Sequence, residues 1–248
     1  MPPVKDQAIV LRHLDYSETS QVLACLTREH GARRFIAKGI KRGTKKGKPS
    51  AAIDVLERGE AVFLVKPQSD TELAVLTEWR QLDAHLGLRD RLHAWYAAQY
   101  AAEITSATTL EADPHPELFD ALAALLAGLA SGGMVLPGAV MYQCGLLMAS
   151  GWWPDLTRCV LCERSAPPGR AGFYSAVQGG LVCRRCEVQV PKRRYVTSTV
   201  LSALRSGQFD DETAGGAFEV LDDTIALAVG HPLSLSRMVI EPTPRRTR

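Results

Sequence analysis

Four of the six cysteines in this chain fall into two pairs with metal-ligand spacing: Cys159-Val160-Leu161-Cys162 and, after twenty intervening residues, Cys183-Arg184-Arg185-Cys186. A Cys-x2-Cys step places two sulfurs at the tip of one tight turn, and two such tips supply a closed tetrahedral shell at roughly 2.3 Å per Zn–S bond. The expected cofactor is therefore one structural Zn2+ per chain, held by Cys159, Cys162, Cys183 and Cys186. Four protein ligands leave no open coordination position, so the ion is not expected to polarise a substrate or activate water. A thioredoxin-like redox pair would need a single Cys-x2-Cys between a strand and a helix. A nucleoside deaminase would need His-x-Glu ahead of Pro-Cys-x2-Cys, and neither part is present. Zinc is favoured over the remaining rivals, an iron–sulfur centre or redox chemistry. Cys25 and Cys144 have no partner at ligand spacing and read as core thiols.

Four thiolates on Zn2+ carry a formal charge near −2. Arg158, Arg164, Arg184 and Arg185 flank the ligands closely enough to offset it, and the same guanidinium groups suit a nucleic-acid phosphate. Both readings stay open at this point.

The second chemically pointed stretch is basic. Between Arg28 and Lys48 stand nine Lys/Arg against the single acid Glu29, with Gly39, Gly43 and Gly47 spacing the run. Clustered cations displace condensed counterions from a phosphate chain, and glycine lets backbone approach it. Candidate phosphate contacts are Arg34, Lys38, Lys41, Arg42, Lys45, Lys46 and Lys48. Such a loop tracks a backbone and reads no base sequence. The opposing reading is a solvated run that only aids solubility. Tyr16, Phe35 and Phe63 are the candidate stacking platforms for bases.

No catalytic constellation accompanies these stretches. The six histidines show no His-Glu-x-x-His cluster, and no Gly-x-Ser-x-Gly elbow, Walker A loop or Gly-x-Gly-x-x-Gly occurs. Asp210-Asp211-Glu212 reads as a helix N-terminus, Asp222-Asp223 as a solvated face, and His85 and His93 as surface or capping residues. The expectation is a binding protein and not an enzyme.

The elements that must position these groups change type once. Up to Trp79 the chain runs in short apolar stretches divided by turn residues, which predicts five strands at 8–13, 19–27, 32–38, 55–65 and 73–79. Five strands with one long basic connection suit a small OB-type barrel, a frequent single-strand-binding scaffold, although an SH3-like barrel fits the count nearly as well. Beyond Trp79 the period becomes helical. Leu88, Leu92, Trp95 and Tyr96 share one face, Leu118, Leu122, Leu125 and Leu129 another, and Pro137 opens a third helix closing at Gly151. Helical segments follow at 197–206 and 219–230, then an apolar piece at 233–240, and the tail 242–248 reads as disordered. The expected class is α+β: an OB-fold domain at 1–80, then a helical domain at 81–248 with a zinc finger at about 155–190.

Charge divides the same way. Residues 1–80 hold 14 Lys+Arg against 10 Asp+Glu, net +4, while 81–248 hold 15 against 17, net −2. The opening Met1-Pro2-Pro3-Val4-Lys5-Asp6 lacks an apolar signal region, and the most apolar stretch is interrupted by Asp120 and Gly128, so no membrane partner is expected. Zinc thiolates fit a reducing cytoplasm.

Several stretches together resemble the RecO family of bacterial recombination mediators. At the front these are Ile9-Val10-Leu11-Arg12-His13-Leu14-Asp15-Tyr16-Ser17-Glu18, Thr27-Arg28-Glu29-His30-Gly31 and Ala37-Lys38-Gly39. Further on they are Gly151-Trp152-Trp153-Pro154-Asp155-Leu156, leading into Cys159, and Gly179-Gly180-Leu181-Val182, leading into Cys183. The resemblance implies an N-terminal OB-fold, a helical domain with a zinc finger, and a cytoplasmic, nucleoid-associated DNA repair and recombination mediator. It implies binding of single- and double-stranded DNA, annealing of complementary strands, and cooperation with RecR and RecF in loading recombinase onto DNA coated by single-stranded DNA-binding protein (SSB). Some relatives lack the cysteines that this chain keeps. The alternative is a zinc-braced protein–protein interaction scaffold in which the basic loop is incidental.

Overall fold

A computed structural model gives the fold and describes residues 2–38, 52–64 and 73–241. Contacts group the chain into two compact units, Met1–Asp90 with Ala102–Ser131, and Arg91–Ala101 with Gly132–Arg248.

In the first unit the expected strands are present as β1 (Val4–Asp15), β2 (Gln21–Thr27), β3 (Gly31–Ala37), β4 (Arg58–Leu64) and β5 (Leu73–Asp83). They close into a barrel in the order β1-β2-β3-β5-β4, antiparallel throughout except for the parallel β3–β5 pair. That order is the five-stranded OB connectivity and removes the SH3-like alternative. Alternation explains the closure. Ala8 and Val10, Leu23 and Cys25, Phe35 and Ala37, Ala61 and Phe63, and Ala74 and Leu76 each stand two residues apart on their strands and meet in one core. Gln21 is buried among them, but its amide is satisfied by the backbone of Ile53, accepting from its N–H at 3.1 Å and donating to its carbonyl at 3.4 Å. Gly59 is needed where the Trp79 ring crosses β4: a Cβ there would stand 2.4 Å from an indole carbon.

The helix α2 (Pro116–Ala130) belongs to this unit, with Pro116 in its first turn as the sequence anticipates. Arg28 grips Asp120 of α2 through two hydrogen bonds of 2.9 and 2.8 Å. That arginine is thereby engaged within the fold.

The second unit is built on α3 (Val135–Ala149) and α5 (Asp211–Val229), together with the first part of α1 (Leu92–Thr108). Tyr100 of α1 packs on Phe218 with ring centroids 5.0 Å apart. Its hydroxyl accepts from Gln143 at 2.7 Å and donates to Asp222 at 2.8 Å, and Ser236 donates to the same carboxylate oxygen at 2.7 Å. Burial pushes the Asp222 carboxyl up from its ordinary value. Asp222 is thus a structural acid, not part of a solvated face. Asp210 caps α5 through a capping box with Thr213, which starts the helix eight residues before the periodicity signals it. Shorter helices α4 (Ser198–Ser206) and α6 (Ser236–Ile240) complete the helical part. Among the described residues no helix is long and apolar enough to cross a membrane.

Between α3 and α4 the chain forms a four-stranded sheet that sequence periodicity does not reveal: β6 (Asp155–Cys159), β7 (Gly172–Ser175), β8 (Gly180–Val182) and β9 (Arg194–Val196), in the order β6-β8-β7-β9. Arg194 of β9 ties this sheet to α5, donating to Asp223 at 2.7 and 3.1 Å and to Glu219 at 2.7 Å.

Candidate metal centre and nucleic-acid interface

The four cysteines at ligand spacing are brought together by the pairing of two short strands. β6 runs parallel to β8 with Cys159 opposite Leu181, and the Val160 N–H donates to the Leu181 carbonyl at 2.8 Å. Each strand then opens into a tight turn. In the first, Glu163 donates to the Cys159 carbonyl at 2.8 Å and takes a left-handed φ of 58°. In the second, the N–H groups of Cys186 and Glu187 both reach the Cys183 carbonyl, at 2.9 and 3.0 Å. The turns stand side by side only because residue 180 is glycine: a Cβ there would lie 2.4 Å from the Asp155 carbonyl oxygen.

The four Sγ atoms lie within 4.8 Å of one another, with Cys162 and Cys183 3.7 Å apart. A tetrahedron with Zn–S bonds of about 2.3 Å has sulfurs about 3.8 Å apart, so the cluster has the size of a four-thiolate site and is compatible with zinc. Burial alone would raise the Cys159 thiol, but N–H groups of Cys183, Leu161 and Cys162 aimed at its sulfur bring it down to about 6. The Cys183 N–H lies 3.3 Å from that sulfur. Hydrogen bonding to Cys183, burial and the neighbouring sulfurs push Cys186 up to about 12. Four thiols this close do not all ionise on their own, and a divalent cation is the charge that lets them do so.

The flanking arginines separate into two kinds. Arg158 donates to Asp155 at 2.9 Å, which commits it to the fold. Backbone and hydroxyl donation from Thr157, with help from Arg158, holds the Asp155 carboxyl down at about 2. Arg164, Arg184 and Arg185 are exposed.

On the barrel, Arg34 is exposed on β3, with its guanidinium 3.5 Å from Glu111, and Lys38 is exposed just past the end of that strand. Lys41, Arg42, Lys45, Lys46 and Lys48 lie outside the described residues. Of the candidate stacking platforms only Tyr16 is accessible, 69% exposed at the β1–β2 turn. Phe35 and Phe63 are corrected to core residues, fully buried with ring centroids 4.9 Å apart. The strand periodicity places each on one face without saying which face is inward. His85 is likewise buried, with its Nδ1 donating to the Leu56 carbonyl at 2.8 Å.

A closed barrel of OB order in one unit and a four-thiol ribbon on helices in the other define a class of OB-barrel proteins with a four-cysteine ribbon. The chain belongs to the recombination protein O family: the family model for the N-terminal part matches residues 1–84 and that for the C-terminal part residues 89–233. It is similar to proteins named DNA repair protein RecO from several bacteria. That of Rhodopirellula baltica is 29% identical over 96% of this chain and 87% of its own length. That of Pelobacter propionicus is 30% identical over 94% of both. That of Bacillus subtilis is 28% identical over 90% of this chain and 84% of its own length.

Proposed function

We propose that the chain is a DNA repair and recombination mediator that binds single- and double-stranded DNA and anneals complementary strands. In this reading it works with RecR and RecF to help load recombinase onto SSB-coated DNA. The observation that carries the reading is the coincidence of an OB-order barrel with a basic run in its β3–β4 connection, in a chain whose relatives are named for DNA repair. Two complementary strands repel through their phosphates. A protein whose cations screen both while leaving base edges free lowers the cost of their encounter. No bond is made or broken, so the reading calls for no catalytic residue and no nucleotide. In the division of labour proposed, residues 1–80 grip the backbone through Arg34, Lys38, Lys41, Arg42, Lys45, Lys46 and Lys48, and residues 81–248 hold the assembly together.

In this reading Cys159, Cys162, Cys183 and Cys186 hold one structural zinc ion, which when bound supplies the charge that fastens the two turns. The turn amides stabilise the thiolates, and Gly180 lets the strands beneath them approach. The deciding experiment compares annealing of complementary oligonucleotides by the intact chain and by a variant with Lys41, Arg42, Lys45 and Lys46 changed to Glu. Loss of annealing with retained fold is expected. Unchanged annealing would favour the interaction-scaffold reading instead.

A further inference from the structure

Residues of the ribbon sheet line two grooves, one of about 900 Å³ shared with α5 and α6 and one of about 620 Å³ that takes in Cys159 and Cys183. The larger mixes Lys192, Arg193 and Arg237 with Asp222 and Asp223, and Arg194 in it is already paired. The smaller has a different character. It is lined by Arg164, Arg170, Arg184 and Arg185 with the aromatic pair Phe173 and Tyr195, and no carboxylate lines it.

We infer that this smaller groove is a second single-strand site, in which the four arginines take phosphates and Tyr195 stacks on a base. The inference rests on the proposed DNA-binding reading and adds to it a site separate from the barrel loop.

Three observations support the assignment. First, the arginines are available. Arg158, Arg193, Arg194 and Arg237 each have a carboxylate within salt-bridge distance. Among the described residues Arg164, Arg170, Arg184 and Arg185 have none, and all four are exposed. Second, the charge exceeds what the metal centre needs. Residues 155–196 hold eight Lys/Arg against three Asp/Glu. A four-thiolate zinc centre at about −2 offsets less than half of that surplus. Third, the aromatic surface is built and presented. Phe173 and Tyr195 are directly paired across β7 and β9, with ring centroids 5.7 Å apart. Phe173 is half-buried under the Arg193 guanidinium, 5.6 Å from its ring, while Tyr195 is 62% exposed on the edge strand. Cations set beside an open ring on a fixed sheet match a chain that alternates phosphate with a flat base. An acidic peptide would use the arginines but leave the ring idle.

The test uses the full chain with the barrel loop already disabled by the four Lys/Arg→Glu changes, and a fluorescent oligothymidine of about 20 nucleotides as probe. Residual binding is expected in this background. Adding Tyr195→Ala should weaken it by about five- to a hundredfold, the range of one base–aromatic stack, while Tyr195→Trp should retain it. Adding R184E/R185E should flatten the salt slope by about 1.4. Arg170→Glu, away from the ligands, should weaken binding with zinc content unchanged. Absence of residual binding in the loop variant would overturn the ribbon site while leaving the barrel reading intact. So would residual binding indifferent to Tyr195→Ala, R184E/R185E and Arg170→Glu. Polyglutamate binding that is lost in R184E/R185E while oligothymidine binding is kept would overturn the nucleic-acid assignment. Failure of the unaltered chain to bind would remove the reading beneath both sites.

Discussion

Replacing Gly180 by alanine tests whether the metal centre depends on the close pairing of β6 and β8. The new Cβ would stand 2.4 Å from the Asp155 carbonyl oxygen and 2.7 Å from Val160 Cγ1, and the first of these is backbone that cannot swing aside. The strands must part, which endangers the Asp155 N–H bond to Gly179 at 3.0 Å and the Val160 N–H bond to Leu181 at 2.8 Å. Two bonds at about 1 kcal/mol each and about 1–3 kcal/mol of overpacking give roughly 3–5 kcal/mol against the closed ribbon. Opening of the ribbon becomes at least about a hundredfold more frequent, and zinc transfer to a chromophoric chelator should quicken accordingly. Gly179→Ala is the control. It has a φ of +76° but open space at the Cβ position, so it meets backbone strain without collision. That strain, about 1–2 kcal/mol, should speed transfer only about five- to thirtyfold. Transfer from Gly180→Ala at the unaltered rate would refute the reasoning.

Four further outcomes follow from the packing. Gly59→Ala drives a Cβ into the Trp79 ring and should lower the urea midpoint by the equivalent of about 1–3 kcal/mol. Phe35→Ala removes a fully buried ring and should cost about 3–5 kcal/mol, so any loss of DNA binding in that variant should track unfolding; Tyr16→Ala should leave the thermal midpoint unchanged. Asp222→Asn keeps an oxygen to accept from Tyr100 and Ser236 while removing a carboxyl whose burial raises its pKa. A carboxyl raised in the folded state loses stability as pH climbs above its unfolded value of about 3.9, so the variant's advantage in thermal melts should vanish below about pH 4 and grow as pH rises above it. Metal analysis of purified chain should find one zinc per chain, and Cys159→Ser should abolish it.

The barrel was legible because its strands obey a period of two: Ala8 and Val10, or Leu23 and Cys25, fall on one face of their strands. The same rule could not say that Phe35 faces inward, because a ring on a strand suits either face until the barrel closes. The cysteine spacing gave the four thiols directly. It did not give the sheet beneath them, whose strands of three to five residues are held by the turns and by Arg194 and are too short to show periodicity. Gly179-Gly180 was the available signal for that close approach. The acidic run Asp210-Asp211-Glu212 marked the N-terminus of α5, whereas the apolar periodicity showed only its later part, from 219. Availability of an arginine is equally invisible in sequence, since Arg158 and Arg164 differ only in whether a carboxylate comes near.

The most direct test of DNA handling by the barrel loop is the salt dependence of single-strand binding. With about five phosphates engaged, log affinity should fall against log salt with a slope of about −3.5 or steeper. Changing Lys41, Arg42, Lys45 and Lys46 to Glu should make that slope shallower by about 2.8. Equal slopes for the two proteins would contradict the account.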